Sequence, residues 1–209
     1  MKFAANIRWP KAFAAVALRM QQIAIFASGS GTNAARIIDH FHNHPGIRVN
    51  LVVCNKPGAG VLDIAARKDV PTLIIEKEPF FRGDAYVGEL RARGIGFIVL
   101  AGFLWKIPSA LVQAFPRKII NIHPALLPRY GGKGMYGRFV HEAVIAAGDS
   151  ESGITIHYVD ELYDHGEPIF QAKIFVEKGD TPETLAKKVH GLEYEHFAQI
   201  IEDEVQKHR

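Results

Sequence analysis

The sequence predicts an α/β fold: a doubly wound, mostly parallel sheet with an antiparallel strand pair towards the C-terminus. Three observations predict it. Short apolar runs rich in β-branched residues alternate with helical patterns between residues 23 and 122, as successive βαβ units require. The first run leads into Ser28-Gly29-Ser30-Gly31-Thr32-Asn33, a glycine-rich turn ahead of a helix. After His123 the alternation stops, and strand patterns at 154–159 and 169–176 flank a turn too short for a parallel crossover.

Taken in order, residues 23–27 form a short buried strand and 34–38 a helical pattern. Residues 49–54 give a second strand, 58–68 a second helix, and 72–75 a third strand preceded by Pro71. Residues 80–93 read as one helix, with Leu90 on its apolar side and Arg82 near its start, ended by Gly94-Ile95-Gly96. Residues 97–101 are apolar throughout, the pattern of a strand covered on both faces. The loop Gly102-Phe103-Leu104-Trp105-Lys106-Ile107-Pro108 and a short helix at 109–114 follow. The next strand carries Asn121 and His123, and Pro124 keeps it from continuing as a paired ladder. The glycine-rich stretch 128–138 reads as a mobile loop and 141–147 as a helix. Residues 154–159 alternate strictly, as a half-exposed strand does. The last helix opens at Asp180-Thr181-Pro182-Glu183, a cap followed by proline in the first turn. Leu185, Val189, Leu192 and Ile200 space its apolar face.

A chain of 209 residues suits one domain of this class. We expect residues 1–20 to be an N-terminal extension, disordered or non-native, with Met20 as the natural start, and 21–209 to form a single domain. The extension holds Lys2, Arg8, Lys11 and Arg19 and no acid, which accounts for the formal charge of +3; the remainder is near neutral. Its likeness to a signal peptide is superficial, because Trp9-Pro10-Lys11 interrupts the apolar stretch. A near-neutral body argues against a nucleic-acid partner, which needs a clustered basic face. No apolar run is long enough to span a bilayer. The single cysteine, Cys54, excludes an intrachain disulfide framework and fits a reducing, cytoplasmic compartment as a buried inert thiol.

The chemistry centres on residues 118–128. Asn121 and His123 are two apart on a strand, so they project from one face near its end. Ligands of open parallel sheets bind beyond such strand ends. There an amide can hold a carbonyl oxygen, and an imidazole can move or donate a proton near neutral pH. Alone, this short pattern better fits a turn-capping asparagine and a packed core histidine; its setting in the alternating chain favours a reaction centre.

The turn at 28–33 is an anion site in form, with close-approaching backbone N–H groups and a helix N-terminus. It lacks the lysine of a Walker loop. Gly29, Gly31 and Ala34 formally match a dinucleotide fingerprint, but the second strand ends in Asn55-Lys56 where that fingerprint wants an acid. A single phosphate on Gly31, Thr32 and Asn33 fits best, against a tight turn with nothing bound. Asp164, in the acid-rich turn 160–168, is a candidate to lie beside His123 and set its proton affinity. Gly191 costs the last helix about 1 kcal/mol against alanine. Close approach of another group there would make Glu193 a ligand contact rather than a solvated acid. No cluster has metal-ligand spacing, and His40, His42 and His44 read as solvent-facing.

The order of motifs completes the reading. Ser28 to Asn33, Leu100-Ala101-Gly102-Phe103, Asn121-Ile122-His123-Pro124-Ala125-Leu126-Leu127-Pro128, Asp164 before Pro168, and Gln171-Ala172-Lys173 together resemble the phosphoribosylglycinamide formyltransferase family. These are the folate-dependent glycinamide ribonucleotide transformylases of de novo purine biosynthesis, and the resemblance runs through residues 21–205. It implies a Rossmann-like formyltransferase domain. It implies transfer of the formyl group of 10-formyltetrahydrofolate, a co-substrate, to the amine of glycinamide ribonucleotide, with no metal. Asn121, His123 and Asp164 would be the catalytic trio. Gly31, Thr32 and Asn33 would hold the ribose phosphate, and His190 and Glu193 the nucleotide, with Glu193 near the reacting amine. Leu104, Trp105, Lys106, Ile107, Asn121 and the turn Asp160, Glu161, Leu162, Tyr163 and Asp164 would hold the folate, with Arg82 as its arginine. The implied partners are these two small molecules, with no nucleic acid and no membrane, for a monomer or homodimer.

The chain departs from the family at several points. Members often carry Met-Arg-Ile-Leu where this chain has Leu104-Trp105-Lys106-Ile107, and Arg82 aligns one position away from the family's arginine. The loop after Pro128 is longer, with Lys133-Gly134-Met135-Tyr136-Gly137 as an insertion. In the expected mechanism Asn121 and protonated His123 hold the oxyanion, and Asp164 raises the proton affinity of His123. A formyltetrahydrofolate hydrolase would share the trio but deliver the formyl group to water. A methionyl-tRNA formyltransferase would need an RNA-binding domain, which is not expected here. A non-catalytic nucleotide-phosphate-binding module would use the glycine-rich turn alone.

Overall fold

Apolar, β-branched strands build a seven-stranded sheet in the order β3-β2-β1-β4-β5-β6-β7. The computed structural model describes residues 20–82 and 84–208, so all but the last residue of the expected N-terminal extension lies outside the described residues. The elements are β1 (Gln21–Ala27), α1 (Thr32–Phe41), β2 (Ile47–Cys54), α2 (Gly60–Arg67), β3 (Thr72–Ile74), α3 (Lys77–Phe81), α4 (Ala85–Ala92), β4 (Ile95–Leu100), α5 (Ser109–Ala114), β5 (Ile119–His123), α6 (Arg138–Ala147), β6 (Glu151–Tyr158), β7 (Pro168–Phe175) and α7 (Pro182–Lys207). Strands β1 to β5 pair in parallel, and β5-β6-β7 pair antiparallel. The winding reverses between β1 and β4, the place where open α/β sheets leave a crevice at their carboxyl edge.

The core lies on both faces of β1 and β4. On one face Ile37, Phe41, Val61, Val144, Val189 and Phe197 close over the sheet from α1, α2, α6 and α7. On the other, Phe80, Leu90, Phe103, Leu111 and Phe115 do so. Cys54 is buried, with its sulfur against the backbone of Lys56.

Several expectations are corrected. The helix expected at 80–93 is two helices, α3 and α4, and Arg82 follows the end of α3 rather than starting a helix. Ile95 and Gly96 do not end that helix but begin β4, where Ile95 pairs with Gln22. Strand β6 is buried on both faces rather than half-exposed. Its apolar members Ile154 and Ile156 join the cluster beneath α7. Its polar members Thr155 and His157 turn to the other face, where Thr155 is tied to the chain after His123 and His157 to Asn121. Polar alternation there marks a buried hydrogen-bonded face, not solvent.

His40 and His44 both reach Glu202, at 2.9 and 3.2 Å; His40 and His42 are exposed as expected, while His44 is half-buried. In α7 the buried stripe is Leu185, Val189, Glu193, Phe197 and Ile201, while Leu192 and Ile200 are only half-buried. A carboxylate therefore sits in the middle of an apolar stripe. A Cβ at Gly191 would meet nothing within 4 Å, so close approach is not what this glycine serves.

Candidate active site

A cavity of about 830 Å³ opens at the carboxyl edge of β1, β4 and β5. Its walls are the glycine-rich turn 29–33, the segments 101–104 and 121–124, the loop 132–139, the pair Tyr163 and Asp164, and one side of α7. Three of these segments follow β1, β4 and β5 at that edge, and the others pack over it.

Strand β5 delivers Asn121 and His123 from one face, as their spacing requires. Asp164 arrives from the turn between β6 and β7, in the left-handed region at φ 53°. That turn is held close by Gly166, where a Cβ would stand 1.8 Å from the Tyr158 carbonyl oxygen, so only glycine fits. Asp164 Oδ2 lies 3.5 Å from His123 Nδ1 and accepts the Gly132 N–H at 3.0 Å. Its Oδ1 accepts a long 3.4 Å contact from Asn121 Nδ2. On its other side His123 donates from Nε2 to the Tyr130 carbonyl at 2.7 Å. A carbonyl can only accept, so Nε2 carries a proton and Nδ1, opposite the carboxylate, is the atom left to gain or lose one.

Burial pushes the proton affinity of His123 below the ordinary imidazole range. Asp164 pulls it back, as expected from its charge, and so does the Tyr130 carbonyl, but together they do not offset burial and the net effect is a fall. For Asp164 burial is again the largest effect and raises its proton affinity, but His157, His123 and the Gly132 N–H together outweigh it. The carboxyl sits below its usual range and is ionised at neutral pH. The group thus contains a fixed negative charge, an imidazole able to exchange a proton, and an amide donor. That set suits chemistry at a carbonyl carbon.

The opposite wall is a second polar constellation. Gly31 caps α1 at φ 80°, and a Cβ there would meet Val61 at 2.7 Å. The α1 N-terminus is thereby left bare of side chain, as backbone anion binding requires. Asn33 Nδ2 donates to Glu193 Oε2 at 2.9 Å, and His190 Nδ1 donates to the same oxygen at 2.8 Å. That shared carboxylate oxygen holds His190 above the usual imidazole range, against partial desolvation. Gly31, Thr32, Asn33, His190 and Glu193, far apart in sequence, all line the cavity.

The remaining candidates divide. Leu104, Tyr163 and Asp164 line the cavity. Trp105 packs instead on Phe80 and Phe81, with ring centroids 5.7 and 5.5 Å away. Ile107 is core, and Lys106 is exposed. Asp160 shapes its own turn by accepting the Leu162 N–H at 2.8 Å and facing His165 at 2.9 Å. Leu162 and Glu161 point outward, and Arg82 lies away from the cavity, paired with Glu78 at 2.5 Å.

Sequence reading missed the groups that hold the trio. His157 stands directly opposite Asn121 in the β5–β6 ladder. Its Nδ1 donates to the Tyr158 carbonyl at 2.8 Å, so its Nε2 accepts from Asn121 Nδ2 at 3.1 Å and fixes the amide. Thr155, opposite His123, donates to the Ala125 carbonyl at 2.7 Å and accepts from Leu127 N–H and Gln171 Nε2, each at 2.9 Å. Ser28 Oγ accepts the Leu104 N–H at 3.0 Å and ties two cavity walls together. The signal was present in the polar members of β6, but only the strand register gives it meaning.

Residues 21–201 match the family model described as "Formyl transferase". The chain is 40% identical over 195 residues to "Phosphoribosylglycinamide formyltransferase, chloroplastic" of Arabidopsis thaliana, covering 88% of this chain and 65% of that relative. It is 35% identical over 187 residues to "Phosphoribosylglycinamide formyltransferase" of Bacillus subtilis, covering 87% and 93%. Among solved structures, glycinamide ribonucleotide transformylase 1 from Geobacillus kaustophilus superposes with a TM-score of 0.79 at 37% identity, covering 88% of this chain and 97% of that one. The chain spans just under two thirds of the length of the plant relative and nearly all of the bacterial ones. It belongs to the formyl transferase family.

Proposed function

We propose that this chain transfers the formyl group of 10-formyltetrahydrofolate to the amine of glycinamide ribonucleotide. The observation that carries the reading is the meeting of Asn121, His123 and Asp164 across one cavity from the Gly31–Asn33 turn and Glu193. A one-carbon unit set beside the trio faces a nucleotide amine whose phosphate rests on the α1 N-terminus. The names of the relatives point to the same substrate.

In this reading the amine attacks the formyl carbon, and the new C–N bond forms as the carbonyl oxygen gains negative charge. Asn121, steadied by His157, releases its long contact to Asp164 and donates to that oxygen; His123, protonated at Nδ1, supports it. Asp164 keeps that proton on Nδ1 and receives the proton leaving the amine. The carbonyl then re-forms, the bond from carbon to the folate nitrogen breaks, and that nitrogen takes up a proton. The folate ring lies between Leu104 and the turn carrying Tyr163. Trp105 and Ile107 support that wall from behind, and Arg82, paired with Glu78, is not among the residues that line the cavity. Cytoplasmic residence fits the one free, buried thiol. No helix among the described residues is long and apolar enough to cross a membrane.

The test is folate deformylation, followed spectroscopically with and without glycinamide ribonucleotide. Strict dependence on the nucleotide is expected. Deformylation at the same rate without it would make the chain a hydrolase, and none in either case would leave only a binding module.

A further inference from the structure

We propose that His141 is a further substrate contact, an uncharged acceptor for the amine-bearing arm of the nucleotide; this rests on the function proposed above. His141 lies in the first turn of α6, is 2% exposed, and lines the same cavity as His190 and Glu193. Its Nδ1 is buried and has no hydrogen-bond partner among the described residues. Buried polar nitrogens are nearly always paired, and a ligand is one standard reason for an exception. The same helix places Phe139 on the cavity wall, while Val140 and Val144 anchor it in the core, so the ring is carried by a rigid support.

The surroundings keep the ring uncharged. Burial lowers its proton affinity most, and the nearby His190 and His123 lower it further, against a smaller opposing pull from Glu193. Charge is what matters at this position. An attacking amine must be neutral with its lone pair free. A carboxylate alone beside it would favour the ammonium form, which cannot attack. A neutral imidazole accepts one amine N–H, orients the lone pair and adds no charge. His141 therefore supplies what Glu193, already shared between Asn33 and His190, does not.

The test uses His141→Phe, which keeps the ring packing and removes both nitrogens, and His141→Gln, which restores a polar group. Nucleotide and folate KM, kcat and melting temperature are measured for each, beside the unaltered chain. We expect His141→Phe to raise the nucleotide KM about tenfold or more, to leave the folate KM within about twofold, and not to lower the melting temperature; His141→Gln recovers part of the loss. A nucleotide KM within about twofold of the unaltered chain, or an equal loss for both substrates, overturns the proposal. If neither variant folds, the imidazole ¹⁵N signals of the unaltered chain decide. Movement of the His141 signal on adding nucleotide supports the contact, and immobility refutes it. Failure of the unaltered chain to use the nucleotide would sink the proposed function as well, whereas a nucleotide-dependent enzyme with an indifferent His141 sinks this inference alone.

Discussion

Replacing Asp164 with asparagine removes one negative charge while leaving side-chain shape and a possible acceptor for the Gly132 N–H. The carboxylate lies 3.5 Å from His123 Nδ1, and the pair is mostly shielded from solvent, with the carboxylate side chain 11% exposed. At an effective permittivity of about 20, Coulomb's law gives roughly 4–5 kcal/mol at this distance, an upper bound. Carboxylates so placed change a neighbour's hold on its proton by about 1.4–4 kcal/mol. We expect Asp164→Asn to cut kcat about 10- to 1000-fold near neutral pH. The sign for the pH profile is fixed. Without Asp164, burial acts on His123 unopposed by its largest counterweight, the proton leaves at lower pH, and the basic limb of the kcat profile moves towards acid. The assay is kcat against pH at saturating concentrations of both substrates. A lowered rate with the basic limb in its original place would mean that Asp164 does not act through His123. An unchanged rate would remove it from the mechanism.

Three further outcomes are expected. Thr155→Val leaves the Leu127 N–H and the Ala125 carbonyl without their buried partner and should cost about 1–3 kcal/mol, or roughly 2–4 °C of melting temperature per kcal/mol. It should lower kcat with little change in nucleotide affinity; equal stability would show that the segment after His123 needs no such tether. Glu193 holds the His190 proton above the usual range, so the cation persists to higher pH and is lost as pH rises through that raised value. Nucleotide affinity, measured by titration calorimetry, should weaken over that interval, and His190→Gln should flatten the dependence; a wild-type profile in the variant would contradict this. His123 and His141 bind protons more weakly folded than unfolded, so the unfolded chain holds more protons below the ordinary histidine range. The contribution of these two groups to stability should be level above about pH 6.5 and fall as pH drops from there towards the depressed folded values, while that of His190 is lost as pH rises above the same point. His141→Phe should remove part of that fall in scanning calorimetry, and an identical acid slope would show that His141 does not contribute.

The sheet was legible because its signals are local. Buried parallel strands such as Ile95–Leu100 read as unbroken apolar runs, and the Thr181–Pro182 cap marked the start of α7 correctly. The glycine turn and the strand end carrying Asn121 and His123 both line the cavity at the carboxyl edge of the sheet, where their spacing pointed. What failed depended on neighbours. The break between α3 and α4 is an exception, because Arg82-Gly83-Asp84 interrupts the apolar pattern there in the sequence itself; the other misses follow the rule. The polar face of β6 looked solvated because nothing in the sequence says that Ala125 and Leu127 fold back over Thr155. Similarly, His157 becomes meaningful only when antiparallel register sets it opposite Asn121. The charge of Asp164 acts on His123 in the foreseeable direction, but the depth of burial that outweighs it depends on neighbours the sequence does not name. Glu193 stood out by its place near Gly191, although its true distinction is occupying an apolar helical stripe.

The passage of a one-carbon unit from a folate to a nucleotide amine in this cavity can be watched directly by ¹³C NMR. With ¹³C-labelled formyl on the folate and glycinamide ribonucleotide present, the label is expected to reappear as a formamide carbon on the nucleotide, and His123→Ala to suppress the transfer. Label emerging as free formate in the presence of the nucleotide, or transfer undiminished in His123→Ala, would contradict the proposed function.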